Sequence, residues 1–335
     1  MDKKIIGNQV NWGIIGVGDV CEVKSAPAMN LIPNSKIEAV MRRDALKAAD
    51  YAKRHDIAKW YDDADKLIND PLVNAIYIAT PPNSHLEYTL KAAKAGKPVY
   101  VEKPMARTFA ECQEMIVACE AAKVPLYVAY YRRTLPNFLK VKELVDTGAI
   151  GKVRMVEIRM HKPISPNIIT HQENHWRTNK EIAGGGYFYD LASHQLDFLD
   201  YLFGPIKNAS GIAANQAVNY ETEDIVAGSF EFESGVIGTG SWCFTTGDTS
   251  DKEITTIIGS KGEISYQSFG SGDVYLNTEQ KGEEKFSFVL PKHIQQPLIE
   301  EVVKDLLGAS ISPSTGRSAA RTNHVLEQMT KYFSK

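Results

Sequence analysis

Apolar and polar positions alternate with two different rhythms along the 335 residues. Up to residue 130, short apolar runs are separated by helical patterns at the spacing of βαβ units. Trp12 to Ile15 reads as a buried strand, with a helical segment after it up to Pro27. Lys36 to Met41, Trp60 and Tyr61, Ala75 to Ala79, Val99 to Val101, and Pro125 to Ala129 read as further strands. Helices are expected at Ala45 to His55, at Asp63 to Asn69 and up to Ala95, the last capped by Asn83 or Ser84. A fifth runs to Ala122 from the capping box Thr108-Phe109-Ala110-Glu111. Six strands with helices between them predict an α/β Rossmann domain over residues 1–129.

Beyond residue 130 the rhythm changes. Phe138 to Thr147 predicts a helix ended by Gly148, and Lys152 to Met160 a long strand. Residues 163–182 are irregular and polar, too long for a plain connection. The triplet Gly184-Gly185-Gly186 then opens a helix from about Tyr187 to Phe203. Asp224 to Phe232 and Val236 to Phe244 read as a hairpin through Glu233-Ser234-Gly235, with further strands near Glu253 to Ile258, Glu263 to Tyr266 and Lys285 to Leu290. Helices Gln295 to Leu307 and Arg317 to Phe333 close the chain. The pattern predicts an α+β domain over 130–335, with a mostly antiparallel open sheet covered on one face by the glycine-triplet helix. Gly228, Phe230, Phe232, Val236, Gly238, Gly240 and Trp242 would line the opposite face, which needs cover from a second copy in a homodimer or homotetramer, or from a terminal helix.

Composition narrows the classes. With 43% hydrophobic and 24% charged residues the chain is globular in type. A formal net charge of −3, with no Lys/Arg run, argues against a nucleic-acid partner. The N-terminal residues lack an apolar targeting core and no segment offers a membrane span, so a soluble, cytoplasmic protein is expected. Cys21, Cys112, Cys119 and Cys243 form no Cys-x-x-Cys pair, which fits a reducing compartment and packing roles.

Candidate chemistry gathers at a few places. Gly16-x-Gly18 comes directly after the first strand, where a dinucleotide fold makes its turn and lets the backbone approach a pyrophosphate; Cys21 stands at the third glycine position. Arg42 and Arg43 come after the second strand, where an acidic residue would suit NAD and arginine suits the 2′-phosphate of NADP; Asp44 comes only afterwards. NADP is therefore expected over NAD. The fifth strand delivers Lys103 to its carboxyl end within Glu102-Lys103-Pro104, in the crevice where open parallel sheets bind ligands. Glu-Lys-Pro alone fits a solvated lysine as well as a proton-transferring one. On the glycine-triplet helix, Asp190, His194 and Asp197 fall on one face at i, i+4 and i+7, a polar face or a site. His175, Trp176, Arg177, Tyr187, Tyr189, Asp190 and His194 would offer paired hydrogen-bonding groups and aromatic surfaces to a sugar or cyclic diol, the two tyrosines being equally suited to packing. The spacing His171-x-x-x-His175 could hold a metal on a helix, but a polar loop is the better reading and no metal is expected.

Gly16-x-Gly18, Thr80-Pro81-Pro82-Asn83-x-His85, Glu102-Lys103-Pro104, Trp176-Arg177 and Gly184-Gly185-Gly186-x-x-x-Asp190-Leu-x-x-His194-x-x-Asp197 together resemble the glucose-fructose oxidoreductase and inositol dehydrogenase family over nearly the whole chain. Its members include dihydrodiol and xylose dehydrogenases and anhydrofructose reductases. The resemblance implies an NAD(P)-dependent oxidoreductase moving a hydride to or from a secondary alcohol or ketone of a sugar, polyol or cyclic diol. It implies Lys103 as acid/base, with Asp190 and His194 completing the catalytic set. It also implies that Gly16, Gly18, Asp19, Val20, Arg42, Arg43, Thr80, Pro81, Asn83, His85, Glu102 and Lys103 hold the dinucleotide, and that Trp176, Arg177, Tyr189, Asp190 and His194 meet the substrate. An NAD-retaining glycosidase and a non-catalytic dinucleotide-dependent regulator are the alternatives on this fold.

Overall fold

The first sheet has six strands, β1 (Val10–Ile15), β2 (Ser35–Met41), β3 (Lys59–Tyr61), β4 (Ala75–Ile78), β5 (Val99–Val101) and β6 (Leu126–Val128), within a computed structural model that describes residues 4–164 and 176–333. Their order is β3-β2-β1-β4-β5-β6 and all pairs are parallel, as the βαβ rhythm requires. Every residue of β4, β5 and β6 is buried. That is why these strands read as unbroken apolar runs rather than alternating ones. Because the strands are parallel, Gly16, Thr80 and Glu102-Lys103, each just past a strand, lie along one edge of the sheet.

The chain forms two compact units, and they do not obey one cut. Residues 1–131 and 291–320 form the first, 132–290 and 321–335 the second. The expected boundary after residue 129 had left everything beyond it in the second domain. Residues 291–320 return to the first because the helix Gln296–Leu306 is strongly amphipathic and seals one face of the parallel sheet. Leu298, Ile299, Val302, Val303 and Leu306 join Val10, Trp12, Tyr77, Tyr100 and Tyr127 in one core. The opposite face is covered by helices such as Phe109–Ala121, whose Cys112, Met115 and Cys119 are buried. That helix starts as expected, with Thr108 accepting from the Glu111 amide, but the Glu111 carboxylate turns to Arg107 rather than back to Thr108.

The second unit carries an eight-stranded sheet. Its strands are β7 (Val153–His161), β8 (Ile206–Ala214), β9 (Ile225–Phe232), β10 (Ile237–Cys243), β11 (Lys252–Gly259), β12 (Gly262–Tyr266), β13 (Asp273–Thr278) and β14 (Gly282–Ser287), in the order β14-β13-β12-β11-β7-β10-β9-β8. All neighbours are antiparallel except β7 and β10. β8 and β13 were not foreseen, and the final strand ends at Ser287 rather than Leu290. After Ile206, β8 carries Ile212 as its one large apolar residue among small and polar ones, which gives almost no apolar signal.

The helix Ser193–Phe203 lies on one face, with Phe203 on Phe232 at 5.4 Å and Phe198 on Tyr266 at 5.9 Å between ring centroids. This is the face that receives Phe230, Phe232, Val236 and Trp242, all buried. The expectation that they line the opposite face is therefore corrected. The glycines among them explain the misreading: a Cβ on Gly238 would come 2.0 Å from the Phe230 ring, and one on Gly240 would come 2.1 Å from the Trp242 ring. Glycine beside an aromatic here makes room for the ring on the covered face. The other face carries Ile212, Ala227, Ile237 and Thr239, all exposed, beside Met155 and Glu157.

Candidate active site

In the first unit the site residues gather where β1, β4 and β5 end. Gly16 turns with φ +93°, a conformation that glycine favours, and a Cβ there would come 2.5 Å from Thr80 Cγ2 and 3.0 Å from the Thr80 amide nitrogen. Around Gly18 nothing of the chain lies within 4 Å of a built Cβ. That open backbone fits a dinucleotide, which needs one close approach at this turn. The segment after it is a single π-turn, Val20–Lys24, then the short helix Ala26–Met29, rather than one continuous helix to Pro27. Cys21 fits the third glycine position by being fully buried, and burial, with the Glu102 charge second, pushes its thiol up to about 12. Its side chain packs in the core.

Past β2, the Arg42 guanidinium donates to the Val17 carbonyl at 3.1 Å, so it buttresses the glycine turn. Arg43 is exposed, and Asp44 caps the helix Ala45–Arg54 by accepting from the Lys47 amide at 3.1 Å. Past β4, Ser84 does not cap the helix His85–Lys94; its hydroxyl turns back to Thr80 Oγ1 at 2.7 Å. Pro82 is buried, and Asn83 is exposed. His85 is fully buried with both ring nitrogens on carbonyl oxygens, Nε2 at 2.7 Å from Thr80 and Nδ1 at 3.1 Å from Met105. Burial lowers its pKa, and the two carbonyls oppose that.

Glu102 is 8% exposed. Its Oε1 accepts from the Tyr77 hydroxyl at 2.6 Å and the Gln295 amide at 2.7 Å, and its Oε2 from the Lys103 backbone at 3.3 Å. The carboxylate expected to touch the dinucleotide is thus held by the chain itself. Lys103 is half-buried and its bond to Pro104 is cis. Gln295 is the residue that sequence reasoning missed. It lies 193 residues from Glu102, at the start of a helix, where nothing distinguishes it from an ordinary polar flank.

In the second unit the glycine triplet and the helix after it depart from expectation. The helix begins with a π-turn, Phe188–Ala192, before Ser193–Phe203. At Gly185 and Gly186 the place of a side chain is already filled by the chain: a Cβ on Gly185 would come 2.1 Å from the Tyr189 ring, and one on Gly186 would come 2.5 Å from Thr222 Oγ1. The Gly186 amide donates to Glu223 at 2.8 Å, and burial pushes that carboxyl up to about 7. Tyr189 is buried with its hydroxyl 3.1 Å from Thr330, and Tyr187 packs on Tyr220 and Phe244, so both tyrosines serve packing.

Asp190, His194 and Asp197 meet different neighbours. Asp190 meets Arg177 Nε at 3.2 Å, and the Arg177 guanidinium lies 4.4 Å from the centre of the Trp176 ring. Asp197 is buried and clamped by Arg133 through two bonds of 2.8 and 2.6 Å, which makes it a structural anchor. His194 is 3% exposed, with the Phe269 ring against it at 5.8 Å. His171 and His175 lie outside the described residues, and among the described residues no cluster of three metal-ligating side chains occurs.

Comparison with known proteins gives the chain its family. Residues 10–130 match the model of an oxidoreductase family with an NAD-binding Rossmann fold, and residues 138–265 match the GFO/IDH/MocA C-terminal domain. The chain is 40% identical to Oxidoreductase P35 of Formosa agariphila, over 96% of this chain and 98% of that protein. It is 30% identical to the 1,5-anhydro-D-fructose reductase of Ensifer adhaerens, over 70% of this chain and 69% of that one. The structure of levoglucosan dehydrogenase in complex with NADH and levoglucosan superposes with a TM-score of 0.86, covering 96% of each chain at 20% identity, and so shares the fold. On its two matched domains and its full-length relative, this chain belongs to the GFO/IDH/MocA family of oxidoreductases.

Proposed function

We propose that the protein is a dehydrogenase or reductase that moves a hydride between a nicotinamide dinucleotide and a secondary alcohol or ketone of a sugar, polyol or cyclic diol. The observation that carries this reading is the strand exit at Lys103, where a half-buried lysine is bracketed by the Glu102 clasp and by His85. The nicotinamide, when bound, supplies the hydride acceptor or donor. Lys103 Nζ takes the hydroxyl proton when the alcohol is oxidised and returns it when the ketone is reduced. Gly16 and Gly18 keep the turn open to the pyrophosphate, and Thr80, Pro81 and Asn83 flank it, with Asp19 and Val20 next along the chain. His194 and Asp190, the latter with Arg177 and Trp176, are assigned to the substrate's hydroxyl groups. Tyr189 and Asp197 are left out because packing and Arg133 occupy them.

NADP is favoured over NAD, because Arg42 and Arg43 stand directly after β2 while Asp44 is engaged as a helix cap. A homo-oligomer is proposed through the open face of the eight-stranded sheet around Ile237. The deciding experiment monitors nicotinamide absorbance with both cofactors across a panel of sugars, inositols and diols, simple ketones and hydroxy acids. Preference for the polyols supports the reading. Preference for apolar ketones, or glycoside cleavage without net cofactor turnover, overturns it.

A further inference from the structure

We propose that Gln295 is a positioning residue for Lys103, acting through the Glu102 carboxylate; this rests on the reading of Lys103 as the acid/base. Three donors converge on Glu102: the Tyr77 hydroxyl, the Gln295 side-chain amide and the backbone N–H of Lys103. The Gln295 NH2 faces the Glu102 carboxyl, and the Gln295 carbonyl, which can only accept, takes the Tyr100 hydroxyl at 3.0 Å. The amide therefore has one orientation. Gln295 is itself 1% exposed, and its backbone N–H donates to the Lys24 carbonyl at 3.1 Å. The clasp thus ties the strand exit to the end of the π-turn beyond the glycine loop.

A buried carboxylate is a poor way to gain stability, since apolar side chains of the same volume do as well or better. What it supplies here is direction. Glu102 cannot rotate without breaking bonds to Tyr77 and Gln295, and its second oxygen holds the amide that begins Lys103. On the far side, His85 holds the Met105 carbonyl. Lys103 is fixed from both sides through the main chain, and Gln295 is the member of that set supplied from the far end of the sequence.

The test uses the full chain and compares Gln295→Leu, Tyr100→Phe, the exchange Glu102→Gln/Gln295→Glu, and Lys103→Ala. Gln295→Leu is expected to lower kcat about tenfold, since small misplacements of a reacting group cost rate steeply. The dinucleotide Kd, measured by calorimetry without substrate, should stay within about twofold, because only transition-state geometry is disturbed. Tyr100→Phe, which frees the amide at the loss of one hydroxyl from the core, should lower kcat in the same direction, by about threefold. The exchange keeps the 102–295 pair with its polarity reversed and lets Tyr77 donate to Ser25, so it should restore kcat to within about threefold of wild type.

Wild-type kcat in both Gln295→Leu and Tyr100→Phe overturns the proposal. So does a loss of dinucleotide affinity in proportion to kcat, or an exchange variant no better than Gln295→Leu. If Lys103→Ala turns over normally, the acid/base reading falls and this inference with it. If Lys103→Ala is inactive while Gln295→Leu is unimpaired, the positioning role alone falls.

Discussion

Neighbouring residues at the end of β5 have separate duties. Glu102 turns inward to three donors while Lys103 is half-buried at the sheet edge. Lys103→Ala should lower kcat by roughly 10²–10⁴-fold with dinucleotide affinity nearly unchanged, as for loss of a general acid-base group; steady-state kinetics and calorimetry check this. Glu223 makes a prediction of a different kind. Its carboxyl is raised from 4.5 to about 7, by burial first, with the Gly186 amide opposing. Below pH 4.5 it is protonated whether the chain is folded or not; between 4.5 and 7 only the unfolded chain ionises it, so its contribution to stability is lost as pH rises. A shift of this size corresponds to about 3 kcal/mol. Glu223→Gln keeps an acceptor for Gly186 and should be more stable than wild type at about pH 8 but not near pH 4.5, as urea titrations would register. Lys103 was legible because a β-rich run, a lysine and a proline stand together. Gln295 and Glu223 were not, because burial of a lone polar residue is decided by partners distant in the chain.

Whole elements were easier to read than their faces. The six strands of the parallel sheet stand within a residue or two of expectation, most plainly β4, β5 and β6, where burial on both sides makes continuous apolar words. In the antiparallel sheet, the strands β9 and β10 were legible but their orientation was inverted, because Gly228, Gly238 and Gly240 resemble a small-residue docking surface. The large rings beside those glycines were the better guide. The turn after β2 carries its own prediction. Asp44 caps the next helix and Arg42 braces Val17, so under the proposed reading the exposed Arg43 is the side chain left to meet a 2′-phosphate. Replacing Arg42 and Arg43 by alanine should raise KM for NADP far more than for NAD; a wild type that prefers NAD would reject this. Part of the Arg42 effect will come through the glycine turn it supports, so the cleaner selectivity change is expected from Arg43.

At the scale of the molecule, the open face of the eight-stranded sheet mixes apolar and charged side chains. Ile237 is 53% and Ile212 80% exposed, with Glu157 and Arg159 nearby in the register. Association between copies is the cover proposed for this surface. Light scattering should give a mass above 37.2 kDa for the wild type and a lower one for Ile237→Lys. A monomeric wild type at dilute concentration would reject the association. Among the described residues, no helix is long and apolar enough to cross a membrane.

The return of residues 291–320 to the first unit carries a consequence for how the molecule is made. A ribosome completes all six parallel strands by Val128, yet the helix that seals Trp12, Tyr77 and Tyr100 ends only at Leu306. For most of synthesis the nascent dinucleotide unit therefore has one bare apolar flank, the kind of surface that chaperones hold and that aggregates otherwise. A polypeptide of residues 1–131 made alone should bind hydrophobic dyes and precipitate, and joining 291–320 to its end through a flexible linker should suppress both. Birth order and folding order thus diverge in this chain: the half that starts first must wait for residues 291–320 before it can close.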